Sequence, residues 1–146
     1  MPADTPTTEF CLRLSRAWAT LSRRLDSALG SHHGISFADY QLLLQLHRAP
    51  GARLRRVDLA EKLGLTASGV TRSLLPLEKI GLVTRQSDPR DARVGYALIT
   101  PTGSEMVTNA TVVVDNVSRN ALGGPARAQL EVASSLMAQL AGVAQQ

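Results

Sequence analysis

The sequence predicts a mainly α-helical chain that carries one small antiparallel β-hairpin. Three observations lead there. Apolar residues recur three and four positions apart along most of the 146 residues, the period of helices that bury one face. Two neighbouring stretches, Leu82–Gln86 and Val94–Ile99, alternate instead, and the turn-forming SDPRDA lies between them. Aromatic residues make up only 3% of a chain that is 44% hydrophobic, so the core must be built from Leu, Val and Ala, which suits helices.

The elements follow in order. Residues 1–8 are rich in Pro and Thr and read as loose. From Glu9 to Leu29 the apolar positions Phe10, Leu14, Trp18, Leu21, Leu25 and Leu29 mark a first helix, which Gly30-Ser31 should end before a GSHHG loop. Ser36 is a plausible N-cap for a helix from Phe37 to about His47, with Asp39 in the capping-box position and Tyr40, Leu43, Leu44 and His47 inward. Pro50-Gly51 stops it. Arg53 to Arg56 fits a short strand, and Val57 to Leu63 a compact helix ended by Gly64. The next helix opens at Thr66 or Ala67, with Val70, Leu74, Leu77 and Ile80 or Gly81 facing inward. Pro76 removes an intrahelical bond and predicts a kink after two intact turns.

After the hairpin, Thr100-Pro101-Thr102-Gly103 starts a helix carrying Met106, Ala110, Val113 and Val117. The β-branched run Thr111–Val114 opposes that assignment, but the spacing supports it. Gly123-Gly124-Pro125 interrupts the chain, and Ala126 to Ala144 forms a last helix.

Helix, tight turn at Gly64, helix, then hairpin: this order defines a winged helix-turn-helix over residues 36–100. Helices at residues 1–35 and 101–146 flank it. The last helix carries only Arg127 and Glu131 as charged residues, so its apolar face needs a cover. A second copy of the chain is the simplest one, and these ends are therefore expected to be N- and C-terminal dimerisation helices in a homodimer.

Charge locates the working surface. The formal net charge is +4, yet ten Lys/Arg and only five Asp/Glu fall between Arg48 and Arg93, leaving the remainder slightly negative. Such a local excess favours a polyanion, because each neutralised phosphate releases condensed counterions. Ser68, Thr71 and Arg72 lie opposite the apolar face near the start of the second helix of the pair, where base edges are read. Arg90, Asp91 and Arg93 occupy the hairpin tip.

Other classes find little support. No stretch is apolar enough to span a bilayer, and MPADTPTTEF lacks the basic-then-apolar pattern of a secretory leader, so a cytoplasmic location is expected. The lone Cys11 cannot form an internal disulfide, and His32, His33 and His47 do not complete a metal-ligand set with it. No nucleophile–base–acid set or phosphate loop can be assembled, which argues against an enzyme and against a cofactor.

The stretch from Asp58 to Gly103 resembles the MarR family of bacterial regulators. The resemblance rests on Leu59-Ala60, Leu63, Leu65, Ser68, Val70-Thr71-Arg72, Leu74, Leu77-Glu78, Gly81-Leu82-Val83, Arg85, Asp88-Pro89, Asp91, Arg93, Thr100 and Gly103. It implies that the helix from Ala67 enters the major groove of double-stranded DNA, with Ser68, Thr71 and Arg72 at bases or phosphates. Arg93 would reach the minor groove, held by Asp91, with Arg90 as a second contact. Ala92 stands where the family often has another arginine, which shifts the wing's grip toward Arg90. Kinship also implies a repressor, released from a palindromic operator by a small aromatic or phenolic effector. Trp18 and His47 are candidates for lining an effector pocket, with packing the favoured role. One branch of the family senses organic peroxides through a cysteine near the position of Cys11, supported by tyrosines; here only Tyr40 and Tyr96 are available, and a buried, inert thiol is the expectation. A winged-helix module that binds protein instead of DNA is the other alternative.

Overall fold

Hydroxyl side chains set the helix starts. Thr5, Ser36, Thr66 and Thr100 each accept a hydrogen bond from the backbone N–H three residues on, at Thr8, Asp39, Gly69 and Gly103. Each cap satisfies a donor the helix cannot, and stabilises it by about 1 kcal/mol. In the computed structural model, which describes residues 5–142, the order is α1 (Pro6–His33), α2 (Phe37–Arg48), a short 3-10 turn, β1 (Arg53–Arg55), α3 (Arg56–Leu63), α4 (Ala67–Lys79), β2 (Val83–Asp88), β3 (Asp91–Ile99), α5 (Pro101–Leu122) and α6 (Arg127–Leu140).

Both ends of α1 differ from expectation. Thr5 caps it and Pro6 occupies the first turn, so the helix begins within the segment read as loose. It also passes through Gly30 and ends only at Gly34, whose φ of 70° supplies the left-handed stop. Gly30 sits on the exposed side, where a missing side chain costs only about 1 kcal/mol of helix propensity. Leu25 and Leu29, two turns and one turn from the end, are buried and hold the helix in place.

The Ser36–Asp39 capping box of α2 forms as expected, and Asp26 of α1 also accepts the Phe37 N–H at 2.8 Å. This helix is covered on several sides, by α1, α5, α3 and the sheet. Its buried set is accordingly wider than one stripe: Tyr40, Leu42, Leu43 and Leu46. His47 is exposed, its Nδ1 3.3 Å from the Ser104 hydroxyl.

Three strands form one antiparallel sheet in the order β1-β3-β2, with Ala97 paired to Leu54 on one side and Arg85 on the other. The hairpin strands run past the alternating stretches to Asp88 and Asp91, through an irregularity at Ser87/Asp88. Alternation fades there because the tip has no core to face.

One core joins the parts: Leu29, Leu43 and Leu46 meet Leu59, Val70, Leu74 and Leu77, then Leu82, Ala97 and Val107. α4 continues through Pro76 to Lys79, with Val70, Leu74 and Leu77 buried; Ile80 and Gly81, one of them expected inward, are both exposed where Gly81 turns the chain. Thr111–Val114 is helical within α5, and the Thr111 hydroxyl donates to the Val107 carbonyl at 2.7 Å. Gly103 is buried at the start of α5, where a Cβ would meet the Leu82 carbonyl and lie 2.6 Å from Ile99 Cγ1. By contrast, α6 buries no residue and packs substantially on no other element. It ends at Leu140, and the expected end at Ala144 lies outside the described residues.

Candidate nucleic-acid interface

The turn after α3 orients α4. Gly64 adopts φ 66°, its N–H reaches the Ala60 and Glu61 carbonyls, and the Leu65 N–H returns to Ala60 at 2.9 Å. With Val70, Leu74 and Leu77 turned into the core, the opposite face of α4 points out. Ser68 and Arg72 are exposed there, and Arg72 enters no ion pair among the described residues. Thr71 is half-buried and donates its hydroxyl hydrogen to the Ala67 carbonyl at 3.2 Å, which leaves the oxygen free to accept.

At the hairpin tip, Asp88 accepts the Arg90 N–H at 2.8 Å and shapes the turn that exposes the Arg90 side chain. Asp91 holds Arg93 three ways. Its Oδ1 accepts the Arg93 N–H at 3.0 Å and Nε–H at 3.1 Å, while Oδ2 accepts from a terminal nitrogen at 3.2 Å. The Arg93 side chain nevertheless remains 92% exposed. Its guanidinium, then its backbone N–H, hold the Asp91 carboxyl below the usual carboxylate range. The arrangement aims a cation outward without burying it.

Sequence reasoning missed the ties that fix the hairpin against the helix pair. Arg85 of β2 donates to Glu78 of α4 at 2.6 Å. Arg53 donates to Gln86 at 2.8 Å and lies 4.4 Å over the Tyr96 ring. Arg55 pairs with Asp58 at 2.9 Å, a spacing of three that the sequence did display. Between the hairpin and the starts of α3 and α4 lies a cleft of about 520 Å³, lined by Arg55, Arg56, Arg85 and Arg93 among others. The partners of Arg53 and Arg85 are distant in sequence, so no periodicity announces them.

Elsewhere, Trp18 packs on Phe37 at 5.8 Å and Phe37 stacks on Tyr40 at 6.0 Å, beside a cavity of about 380 Å³ lined by Phe37, Tyr40, Leu44, Lys62 and Val114. His47 does not line it. Cys11 is exposed on α1, contrary to the expectation of burial. Both tyrosines are engaged away from it, Tyr40 with Thr111 at 2.7 Å and Tyr96 under Arg53. The described residues contain no group of three metal-ligating side chains and no helix long and apolar enough to cross a membrane.

A helix-turn-helix braced against a hairpin with outward arginines defines the winged helix-turn-helix class. The sequence model of the MarR family matches residues 33–94. An uncharacterized HTH-type transcriptional regulator of Bacillus subtilis, YdgJ, is 32% identical over 77 residues, 53% of this chain and 46% of its own; the match spans about half the length of that relative. Sco3205, a MarR family transcriptional regulator from Streptomyces coelicolor solved in complex with DNA, superposes with a TM-score of 0.87 at 26% identity, over 100% of this chain and 92% of that one. CouR from Rhodococcus jostii, bound to p-coumaroyl-CoA, shares the fold with a TM-score of 0.83 at 19% identity, over 95% and 96% of the two chains. Residues 33–94 thus match the MarR family, and the chain as a whole shares the fold of solved members of that family.

Proposed function

We propose that this protein is a dimeric, sequence-specific regulator of transcription that binds double-stranded DNA and represses from a palindromic operator. The observation that carries the reading is the Asp91–Arg93 fork, which holds a nearly fully exposed guanidinium, together with an exposed Arg72 that enters no ion pair among the described residues. Residues 36–100 serve as the reading unit and the flanking segments 1–35 and 101–146 as the dimer support. α4 reads the major groove through Ser68, Thr71 and Arg72, and the hairpin enters the minor groove with Arg93 and Arg90, Asp91 orienting the former. The effector is a small aromatic or phenolic molecule. The cavity beside Phe37 and Tyr40 supports this, with an aromatic wall and Lys62 at hand for a carboxylate or phenolate.

Duplexes selected by the purified protein from a random pool supply the operator. On it, Arg93→Ala weakens binding across sequences, because shape and phosphate contacts carry little base information. Arg72→Ala costs about 1–3 kcal/mol and relaxes choice at one base pair, the mark of a bidentate base contact. If neither substitution moves operator affinity at fixed salt, the docking is wrong. If the protein ignores duplex DNA even in dilute buffer, a protein-binding role for the winged unit takes its place.

A further inference from the structure

The cleft between hairpin and helix pair holds four arginines, and three are already neutralised. Arg55 is paired with Asp58 at 2.9 Å, Arg85 with Glu78 at 2.6 Å and Arg93 with Asp91 at 3.1 Å. Arg56 has no acid partner among the described residues, and its Nε–H is shut off from solvent with no acceptor. Its side chain lies across Gly95 of β3: a Cβ added there would stand 3.5 Å from Nε and 3.8 Å from Cζ. A glycine in mid-strand therefore leaves the cleft open above a guanidinium whose Nε–H finds no acceptor among the described residues. The excess charge of the cleft is Arg56.

Position says what belongs there. Ala67 at the start of α4 and residues 92–96 of the hairpin both line the cleft. With α4 in a major groove and the hairpin in the adjacent minor groove, the sugar–phosphate strand that separates those grooves must pass between them. The geometry points to Arg56 as an anchor for a backbone phosphate of that strand, a contact additional to those of Ser68, Thr71, Arg72, Arg90 and Arg93. This rests on the DNA-binding reading above, and it assigns no base specificity to Arg56.

The test measures binding of a fluorescein-labelled duplex of arbitrary sequence, and of the selected operator, across a series of chloride concentrations. Arg56→Gln should make the log–log salt slope shallower by about 0.9 per site, the counterions released by one phosphate. The loss of affinity should be several-fold and equal on the two duplexes, while Arg56→Lys retains most of the slope. Gly95→Val, which fills the cleft without removing charge, should reproduce the Arg56→Gln effect and covers the case in which that variant folds poorly by circular dichroism. An unchanged slope in both Arg56→Gln and Gly95→Val, with Arg93→Ala still weakening binding, overturns the inference and leaves the DNA reading intact. A loss confined to the operator also overturns it, since that marks a base contact. So does selective competition by inorganic phosphate at matched ionic strength, which assigns the cleft to a free oxyanion. Absence of duplex binding by the unaltered protein overturns inference and function together.

Discussion

Asp91 and Arg93 form a pair whose purpose is direction. Both carboxylate oxygens are used, yet the arginine stays 92% exposed, so the pair adds little to stability and much to orientation. The carboxyl is lowered in the folded chain from its ordinary value of 3.8, so the tether is complete above that value. It is lost only as pH falls through the depressed folded value, because protonation then removes an acceptor. Asp91 should therefore titrate below 3.8 when its carboxyl carbon is followed by NMR, and move up toward that value in Arg93→Ala. An unaltered titration in the variant would show that the fork does not persist in solution. This pair was legible in the sequence because its members are two residues apart. The Glu78–Arg85 pair was not, since a helix end and a turn intervene between them.

The junction between hairpin and α5 is where elements lock together. The Thr100 hydroxyl donates to the Gly81 carbonyl at 2.6 Å and accepts the Gly103 N–H at 3.0 Å, while the Thr100 N–H bonds the Leu82 carbonyl at 3.0 Å. One residue thus closes the base of the hairpin and caps the helix that follows. Gly103 is required by the close approach of the Leu82 backbone, since its own backbone is ordinary helix. Gly103→Ala, which would normally favour a helix, should instead destabilise by about 1–3 kcal/mol through overpacking. Chemical denaturation of the two proteins checks this, and equal midpoints would mean that the junction yields at no cost. The cap and the glycine were both visible as residues of a pattern. The clash that makes the glycine necessary came only from the packing of α5 on the sheet end. The same distinction explains α1, whose start moved because Thr5 caps it with Pro6 in the first turn, and whose stop moved because buried leucines outweigh the poor propensity of Gly30.

At the scale of the molecule, most of the uncovered apolar surface among the described residues lies in the terminal helices. Leu12, Trp18, Leu122, Val132, Leu136 and Leu140 are exposed, and among the described residues α6 packs substantially on no other element. Apolar surface of this extent calls for a cover, which in the proposed dimer is a second copy related by a twofold axis. Sedimentation at micromolar concentration should give twice the chain mass. Leu136→Asp with Leu140→Asp should shift the protein to single chains and lower operator affinity at least tenfold, because two heads on half-sites about one helical turn apart bind far better than one. A variant that stays paired, or a separated one that binds as well, would remove the dimer from the proposal.

Residue order alone determined the helical class, the helix-turn-helix, the hairpin and the cationic middle of the chain. These depend on the period of apolar residues, on caps and on turn formers, all of which act within a few positions. Tertiary structure decided where Arg53 docks, why Gly103 is obligatory and which apolar faces stay bare. Those outcomes depend on contacts between residues far apart in the chain, and on how much of each helix its neighbours can cover.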